Sequence, residues 1–392
     1  MARSFWILVF ACLVNKLGTM VGPFLPLWLT EAWRLDEEQV TRLLALSSAC
    51  ALFGGPFGGW MADALGRRWT LILAIGLNGA LMLLLPFAPG LAVLVGLILA
   101  KAFTHDMARP ANSAAVADLV PPEERARAFG VLRVAINLGF GIGTLLGGIL
   151  SVRSFMLLFV IDGGTALLAA LIILCLLPET RPAAQPRTPS GRTPAGEAER
   201  AAPGAKARFA LLCACGLVVS LMSSQLATTL PLSLLRRGGE ETKALYGSLL
   251  ALNALVVVLG QVPITMAIER FRPAVALSLG ALCYGLGYGA VAWSVAPLPL
   301  AGAVVLLTLG EVLFFPLAGT VTAELAPPSA RGRWFGVLMA AYGVGAIASP
   351  LLGGWILARH GDTALWLCSP PLGLVAAVGL LFLGGGPPRP RR

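Results

Sequence analysis

The sequence predicts an all-α polytopic membrane protein of twelve transmembrane helices in two homologous six-helix halves. Composition, apolar run length and an internal repeat carry that prediction. With 57% hydrophobic residues, 12% charged residues and a mean hydropathy of +0.83, the 392-residue chain has too little polar surface to coat a soluble globule of its size. Apolar runs of about 20 residues, the length that crosses about 30 Å of hydrocarbon, number twelve. Their centres lie near Cys12, Cys50, Ala74, Ala100, Asn137, Leu167, Val219, Val256, Leu282, Leu307, Gly343 and Gly373. They are solid blocks rather than short alternating segments, so the spans are helices and not barrel strands.

The charges between the runs give the topology. A formal net charge of +10 raises nucleic acid as a partner, but the basic residues follow the membrane instead of one soluble face. With the N-terminus placed in the cytoplasm, Arg3, Arg67, Arg68, Arg125, Arg127, Arg270, Arg272, Arg331, Arg333, Arg389, Arg391, Arg392 and the six cations from Arg181 to Arg208 fall on the cytoplasmic side. Arg34, Arg42, Arg153, Arg236, Arg237, Lys243 and Arg359 fall opposite, a division of 18 against 7. This is the positive-inside asymmetry, and it puts both termini in the cytoplasm; the expected location is a cell inner membrane. The seven cysteines all lie within apolar runs and read as small buried hydrophobes; neither a disulfide framework, a metal set nor a cofactor is expected. The first run has no A-x-A-like cleavage site and reads as a retained span.

Between spans 6 and 7, Pro178 to Arg208 is rich in Pro, Gly, Ala and charge and lacks apolar periodicity, as a flexible linker does. The expected organisation is a six-helix half over 1–178, a cytoplasmic linker over 179–207 and a second six-helix half over 208–392. A shift of 206 residues aligns ADLVPPEERARAFGVLRVAINLGFGIGTLLGG (117–148) with AELAPPSARGRWFGVLMAAYGVGAIASPLLGG (323–354), identical at 16 of 32 positions. The same shift sets Gly54 on Gly260, Asp63 on Glu269 and Pro110 on Pro316, while a shift of 205 sets FLPLWL of span 1 on TLPLSL of span 7. Parallel repeats of this kind, with a site near the midplane, are one architecture of secondary transporters.

With these residues in view, the whole chain resembles the major facilitator superfamily, and most closely its twelve-span drug and metabolite:proton antiporters. GGWMADALGRR (58–68) is similar to the family's loop between spans 2 and 3, with Gly59, Asp63, Gly66, Arg67 and Arg68 matching and Ala64 where an Arg is usual. Asp63 can face a helix N-terminus or the Arg125/Arg127 loop, and Arg133, near the cytoplasmic end of span 5, is within reach of it as a gate partner. The resemblance implies that this loop latches one access state; the alternative is that its residues only fix topology. QVPITMAIERFRP (261–273) resembles its second copy. GFGIGTLLGG (139–148) resembles the antiporter motif of span 5 through Gly139, Gly143, Gly147 and Gly148; Thr144 stands where the family has Pro, which the second copy supplies as Pro350. Small residues at this spacing let helices approach closely, which serves a sliding gate and plain packing alike. The resemblance also implies that spans 1, 4, 7 and 10 line a central cavity.

Charges inside spans cost several kcal/mol each even by the lower estimates and usually face a bundle interior or a wet cavity. They are Lys16, Lys101, His105, Asp106, Arg109, Arg133, Asp162 and Glu311. On the helix of span 4, Lys101, His105 and Arg109 fall at i, i+4 and i+8, with Asp106 three residues before Arg109, so all four share one broad face. The repeat sets His105 opposite Glu311, whose neighbours at i±3 and i±4 are Leu307, Thr308, Phe314 and Phe315. A carboxylate in such a place suits proton coupling. The expectation is that Asp106 or Glu311 carries the proton, with His105 as relay or as a packed neutral ring, and that Asp106 alternatively holds Arg109 as a static pair. Lys16, Lys101, Arg109, Gln225, Phe314 and Phe315 would line a substrate cavity. Asp162 is expected to pair with Arg153 or to cap a helix.

The function this supports is proton-coupled efflux of small amphipathic organic compounds, anionic or zwitterionic ones included, by a monomer in the bilayer; multidrug resistance is the associated trait. The alternative is an importer or lipid flippase on the same fold. An enzyme is not expected: the two histidines are far apart, and the chain has no H-E-x-x-H and no phosphate-binding loop.

Overall fold

The structure is a computed structural model and describes residues 3–121, 124–180, 204–268, 271–327 and 330–383. Every regular element among them is helical. The first half comprises α1 (Arg3–Leu17), α2 (Val21–Ala32), α3 (Glu37–Ala64), α4 (Arg67–Leu84), α5 (Leu91–Leu119), α6 (Arg125–Ser151) and α7 (Phe155–Leu176). The second comprises α8 (Ala205–Thr228), α9 (Leu230–Gly238), α10 (Thr242–Ile268), α11 (Pro273–Val291), α12 (Pro297–Leu325), α13 (Arg331–Leu367) and α14 (Ser369–Leu381). Most of the expected linker, together with Glu269, Arg270 and Arg389 to Arg392, lies outside the described residues.

With α1 and α2 taken together as span 1, eleven helical stretches among the described residues are long and apolar enough to cross a membrane. The twelfth crossing begins inside α13. Gly361 there adopts φ 79°, a left-handed conformation open to glycine without penalty, and the chain from 362 into α14 forms a separate rod. The helices start where their sequences say they should. Asp36 and Gln39 close a reciprocal capping box ahead of α3, with bonds of 2.7 and 3.0 Å, and Pro273 and Pro297 open α11 and α12 in the first turn. Pro110 and Pro316 lie inside α5 and α12, as membrane helices tolerate where surrounding groups can satisfy the freed backbone.

The chain forms two compact units, Met1–Gln185 with Leu234–Leu255, and Pro186–Ser233 with Val256–Arg392. In unit 1, α1 packs on α6 and α7, and α4 packs on α5 and α7. Unit 2 repeats this, with α8 on α13 and α14, and α11 on α12 and α14. The unit 1 core joins Phe5 and Leu8 of α1, Leu71 and Ile75 of α4, and Ala166 and Ile173 of α7. Alanine and glycine recur at these contacts because apolar side chains gain nothing by leaving lipid, so close backbone approach must hold the helices.

Candidate functional site

Span 1 is not one continuous helix. It stops at Leu17 and resumes at Val21, so the last carbonyls of α1 and the first N–H groups of α2 face the interior of unit 1. Lys16 stands in the last turn of α1, the end that favours a cation. Met20, at the N-cap of α2, gives no side-chain bond. The cap comes instead from Asp162 of α7, whose Oδ2 accepts the N–H of Met20 at 3.3 Å and of Val21 at 3.0 Å. Asp162 is 4% exposed. Of the two roles expected for it, the structure shows the cap.

The span 4 helix divides by face. Phe103 and Met107 of α5 press their backbones against Gly54 and Gly58 of α3, where a Cβ would meet the Phe103 and Met107 carbonyl oxygens at 2.3 and 2.2 Å. Asn78 of α4 ties the neighbouring side by donating to the Lys101 carbonyl at 3.0 Å and to the Thr104 hydroxyl at 3.3 Å. Lys101 is half-buried and points its ammonium toward Gly22 in the first turn of α2. His105 and Arg109 are exposed, and Arg109 Nε lies 3.6 Å from Asp106 Oδ1. Lys16, Lys101 and Arg109 all act electrostatically on His105, and Arg109 and Lys101 also act on Lys16. Four of the predicted residues, Lys16, Lys101, His105 and Arg109, are therefore electrostatically coupled within unit 1, with Asp162 acting on both lysines and Asp106 on Lys101.

The loop between α3 and α4 is braced within unit 1. Gly66 adopts φ 101°. Arg67 bonds Asp118 at the end of α5 (2.9 Å), Asp63 (3.3 Å) and the Ala62 carbonyl (2.9 Å), while its N–H donates to Glu179 Oε1 beyond α7 (2.9 Å). Arg68 donates to the Leu174 carbonyl at 2.5 Å. Asp63 thus faces Arg67 rather than the 125–127 loop, where Arg125 bonds the Ala117 and Val120 carbonyls. Arg133 is exposed and makes no ion pair among the described residues.

The span 5 glycines have two faces. A Cβ on Gly139, Gly143 or Gly147 would stand 2.9 Å from Lys16 Cβ, 2.6 Å from the Leu17 carbonyl oxygen and 3.0 Å from the Phe24 ring, so three motif glycines grip the break in span 1. Gly148 meets α10 instead, 3.0 Å from Gly247 Cα and from the Lys243 carbonyl oxygen.

In unit 2, Glu311 lies close enough to Tyr284 to act on its hydroxyl. Tyr284 and Tyr288 stack at 6.3 Å and both hydroxyls bond Ser223, the first to its hydroxyl and the second to its carbonyl. Phe315, half-buried, stands edge-on to Tyr284 and to Tyr342 at 6.3 and 5.3 Å. Gln225 and Phe314 are placed in the packing: Phe314 is fully buried, and Gln225 donates to the Ser349 carbonyl at 3.3 Å and accepts from the Thr229 hydroxyl.

A group that sequence reasoning treated only as topology is Lys243, 2% exposed. Its ammonium pairs with Glu31 and Glu240 and lies 4.8 Å over the Phe155 ring. Nearby, Arg236 pairs with Glu37 at 3.2 Å. The repeat relates these pairs: a shift of 205 carries Glu31 to Arg236, and a shift of 206 carries Glu37 to Lys243. That correspondence was the available signal.

The Major Facilitator Superfamily model matches residues 6–239 and 212–392. The "Uncharacterized MFS-type transporter YhjO" of Bacillus subtilis is 26% identical over 94% of this chain and 90% of its own. The "Na(+), Li(+), K(+)/H(+) antiporter" of Planococcus maritimus is 26% identical over 86% and 85%. The "Quinolone resistance protein NorA" of Staphylococcus aureus is 29% identical over 45% and 46%. Among solved structures, a mutant of the peptide transporter POT in complex with sulfate is 16% identical and superposes with a TM-score of 0.82, covering 98% of this chain and 94% of that one. Two repeated six-helix halves, a braced loop after span 2, a glycine track in span 5 and a family match across the length of the chain make this protein a multi-pass membrane transporter of the Major Facilitator Superfamily.

Proposed function

We propose that the chain is a secondary active exporter that couples proton entry to the efflux of small amphipathic organic compounds by alternating access. The observation that carries this reading is the titratable group on α5, where the exposed His105 and Arg109 adjoin Asp106 at mid-helix. A bilayer tolerates such a group only where water or a polar ligand reaches it. The names of two relatives, an antiporter and a quinolone resistance protein, support coupling and outward direction. In this reading Asp106 or Glu311 holds the coupling proton, His105 relays it, and Lys16, Lys101 and Arg109 receive the anionic part of the substrate. Anionic and zwitterionic compounds are therefore the first candidates. Phe315 of unit 2 supplies apolar contact, with Gln225 and Phe314 behind it. The loop of Gly59, Asp63, Gly66, Arg67 and Arg68 and the nearby Arg133 gate the cytoplasmic side of an inner-membrane monomer whose termini are both cytoplasmic.

The test compares cells expressing wild type, Asp106→Asn and Glu311→Gln for accumulation of a panel of toxic compounds, including the zwitterionic quinolone norfloxacin, with and without a proton uncoupler. Export predicts lower accumulation in wild type, abolished by the uncoupler, and lost in at least one variant that still exchanges bound compound. Higher accumulation in wild type assigns import. Full uncoupler-sensitive export in both variants removes the coupling assignment.

A further inference from the structure

Asp162 is a buried carboxylate of unit 1 that the proposed transport mechanism does not use. Its position is defined by a second feature, the break in span 1. Two N–H groups at the start of α2 end on its Oδ2, and no side chain of α2 or of the intervening turn replaces it. Span 1 and α7 are pressed together there: a Cβ on Gly18 would stand 1.7 Å from Thr165 Oγ1 and 3.2 Å from Asp162 Cα. The other side of the break lies on the glycines of α6, with Leu17 against Gly143 and Met20 against Gly147. Helix α2 then carries Phe24, Trp28 and Glu31 away from the break; Trp28 packs on Phe159 at 4.8 Å and Glu31 bonds Lys243.

The charged groups acting on the carboxylate are Lys101 from α5 and Lys16 from α1. Helix α2 brings Glu31 only at its far end. Helices α4 and α6 carry their charges, Arg67 and Arg68, and Arg125, Arg127 and Arg133, in the portions away from Asp162, which adjoins Gly79 of α4 through Gly163. An ionised carboxylate therefore has two backbone donors and two cations around it, and a hydrogen bond to a charged acceptor is roughly twice as strong as one to a neutral group. A carboxylic acid keeps only the weaker bonds.

We propose that Asp162 is a positioning residue for transport: ionised, it holds the break in span 1, and on taking up a proton it releases the start of α2 to move along the glycines of α6. The consequence for transport rests on the proton-coupled reading above, while the switch itself is read without any substrate. The repeat places Cys368 at the equivalent position of the second half, so the device belongs to the first half alone.

The experiment is hydrogen exchange of the segment from Leu17 to Phe24 in the reconstituted full-length protein, corrected for the intrinsic pH dependence of exchange. Between about pH 8 and about pH 5, wild type should lose protection at Met20 and Val21 roughly tenfold. Asp162→Asn, which keeps the shape and one acceptor but does not titrate, should show a pH-independent intermediate protection. A flat wild-type profile overturns the proposal, as does a wild-type-like pH response in Asp162→Asn. A second readout is norfloxacin transport, where Asp162→Asn should keep exchange across the membrane and lose at least about tenfold of proton-driven accumulation. If norfloxacin is not carried by wild type, the substrate reading fails while hydrogen exchange still decides the role of Asp162.

Discussion

The two halves share a frame and differ in what they hang on it. Helix α6 grips span 1 through Gly139 and Gly147, and α13 grips span 7 through their repeat partners, Gly345 against Leu217 and Gly353 against Gln225. The polar side chains do not follow. Unit 1 gathers Lys16, Lys101, His105 and Arg109 around two aspartates, whereas the midspan carboxylate of unit 2, Glu311, adjoins an aromatic stack of Tyr284, Tyr288 and Trp366. Duplication kept glycine at 139/345, where a Cβ would meet backbone, and at 147/353, where it would meet side chains of the gripped span, whereas Gly58 and Gly143, equally close to backbone, stand opposite Ile264 and Ser349. The charged midspan positions diverged further, His105 standing opposite Glu311. At the ends of the spans this divergence became complementary: the acids Glu31 and Glu37 of the first repeat meet the bases Lys243 and Arg236 of the second, all within unit 1.

Those two pairs give the largest expected effect. They are related by the repeat but differ in depth, with the Lys243 side chain 2% exposed and that of Arg236 45% exposed. Removing Lys243 leaves Glu31 and Glu240, whose side chains are 29% and 60% exposed, so the cost falls between the about 0 to 1 kcal/mol of an exposed pair and the about 3 kcal/mol of a fully buried one. Lys243→Met should lower the melting temperature in detergent by several degrees, followed through labelling of the buried cysteines Cys12 and Cys283. Arg236→Met should leave it nearly unchanged. Equal effects would mean that depth does not separate the two pairs.

Much of this fold was legible in the sequence because a bilayer makes strict demands. Length and apolarity fix the spans, the linker breaks the pattern, and charge inside a span is rare enough to mark α5. The repeat was legible in spans 5 and 11, where glycine recurs at 130/336, 139/345, 147/353 and 148/354. The break in span 1 was not. Gly18, Gly22 and Pro23 mark an irregular stretch, but the group that stabilises the break lies 142 residues from Met20 in the chain. Helix capping read from sequence searches the adjacent residues, and here the adjacent residue is Met20. Lys243 escaped for a similar reason. Its i−3 neighbour Glu240 is visible in the sequence, and its burial under Phe155 and Glu31 is tertiary. Gln225 looked like a cavity group, yet the main chain of α13 occupies its amide.

The glycine frame supplies the next test, with an internal control. Gly139 and Gly345 are repeat partners whose Cβ would meet backbone of the gripped helix, 3.0 Å from the Leu13 oxygen and 2.5 Å from the Leu217 oxygen. Gly130 and Gly336 are also repeat partners on the same two helices, and a Cβ there meets nothing within 4 Å. Gly139→Ala and Gly345→Ala should each cost about 1 to 3 kcal/mol, the second more than the first. Gly130→Ala and Gly336→Ala should be neutral or stabilise by up to about 1 kcal/mol, since alanine favours the helix. Thermal unfolding of the four variants measures this. A control pair as damaging as the gripping pair would show that the shared frame is not set by backbone contact.

The smallest expected effect separates the two readings of Asp106. If its purpose were to anchor Arg109, removing its charge should loosen α5. The geometry gives that pair little hold: the separation is 3.6 Å, the Arg109 side chain is 83% exposed and the partners are three residues apart on one helix. Pairs of this kind contribute about 0.5 kcal/mol or less. The packing of α5 comes instead from Phe103 and Met107 against α3 and from the Asn78 bonds to α4, none of which involves Asp106. Asp106→Asn should therefore melt within about a degree of wild type. Paired with a loss of uncoupler-sensitive export, that result assigns the charge to transport. A clear drop in melting temperature would instead make Asp106 part of the frame, moving it from the divergent chemistry of the first half to the contacts that both halves share.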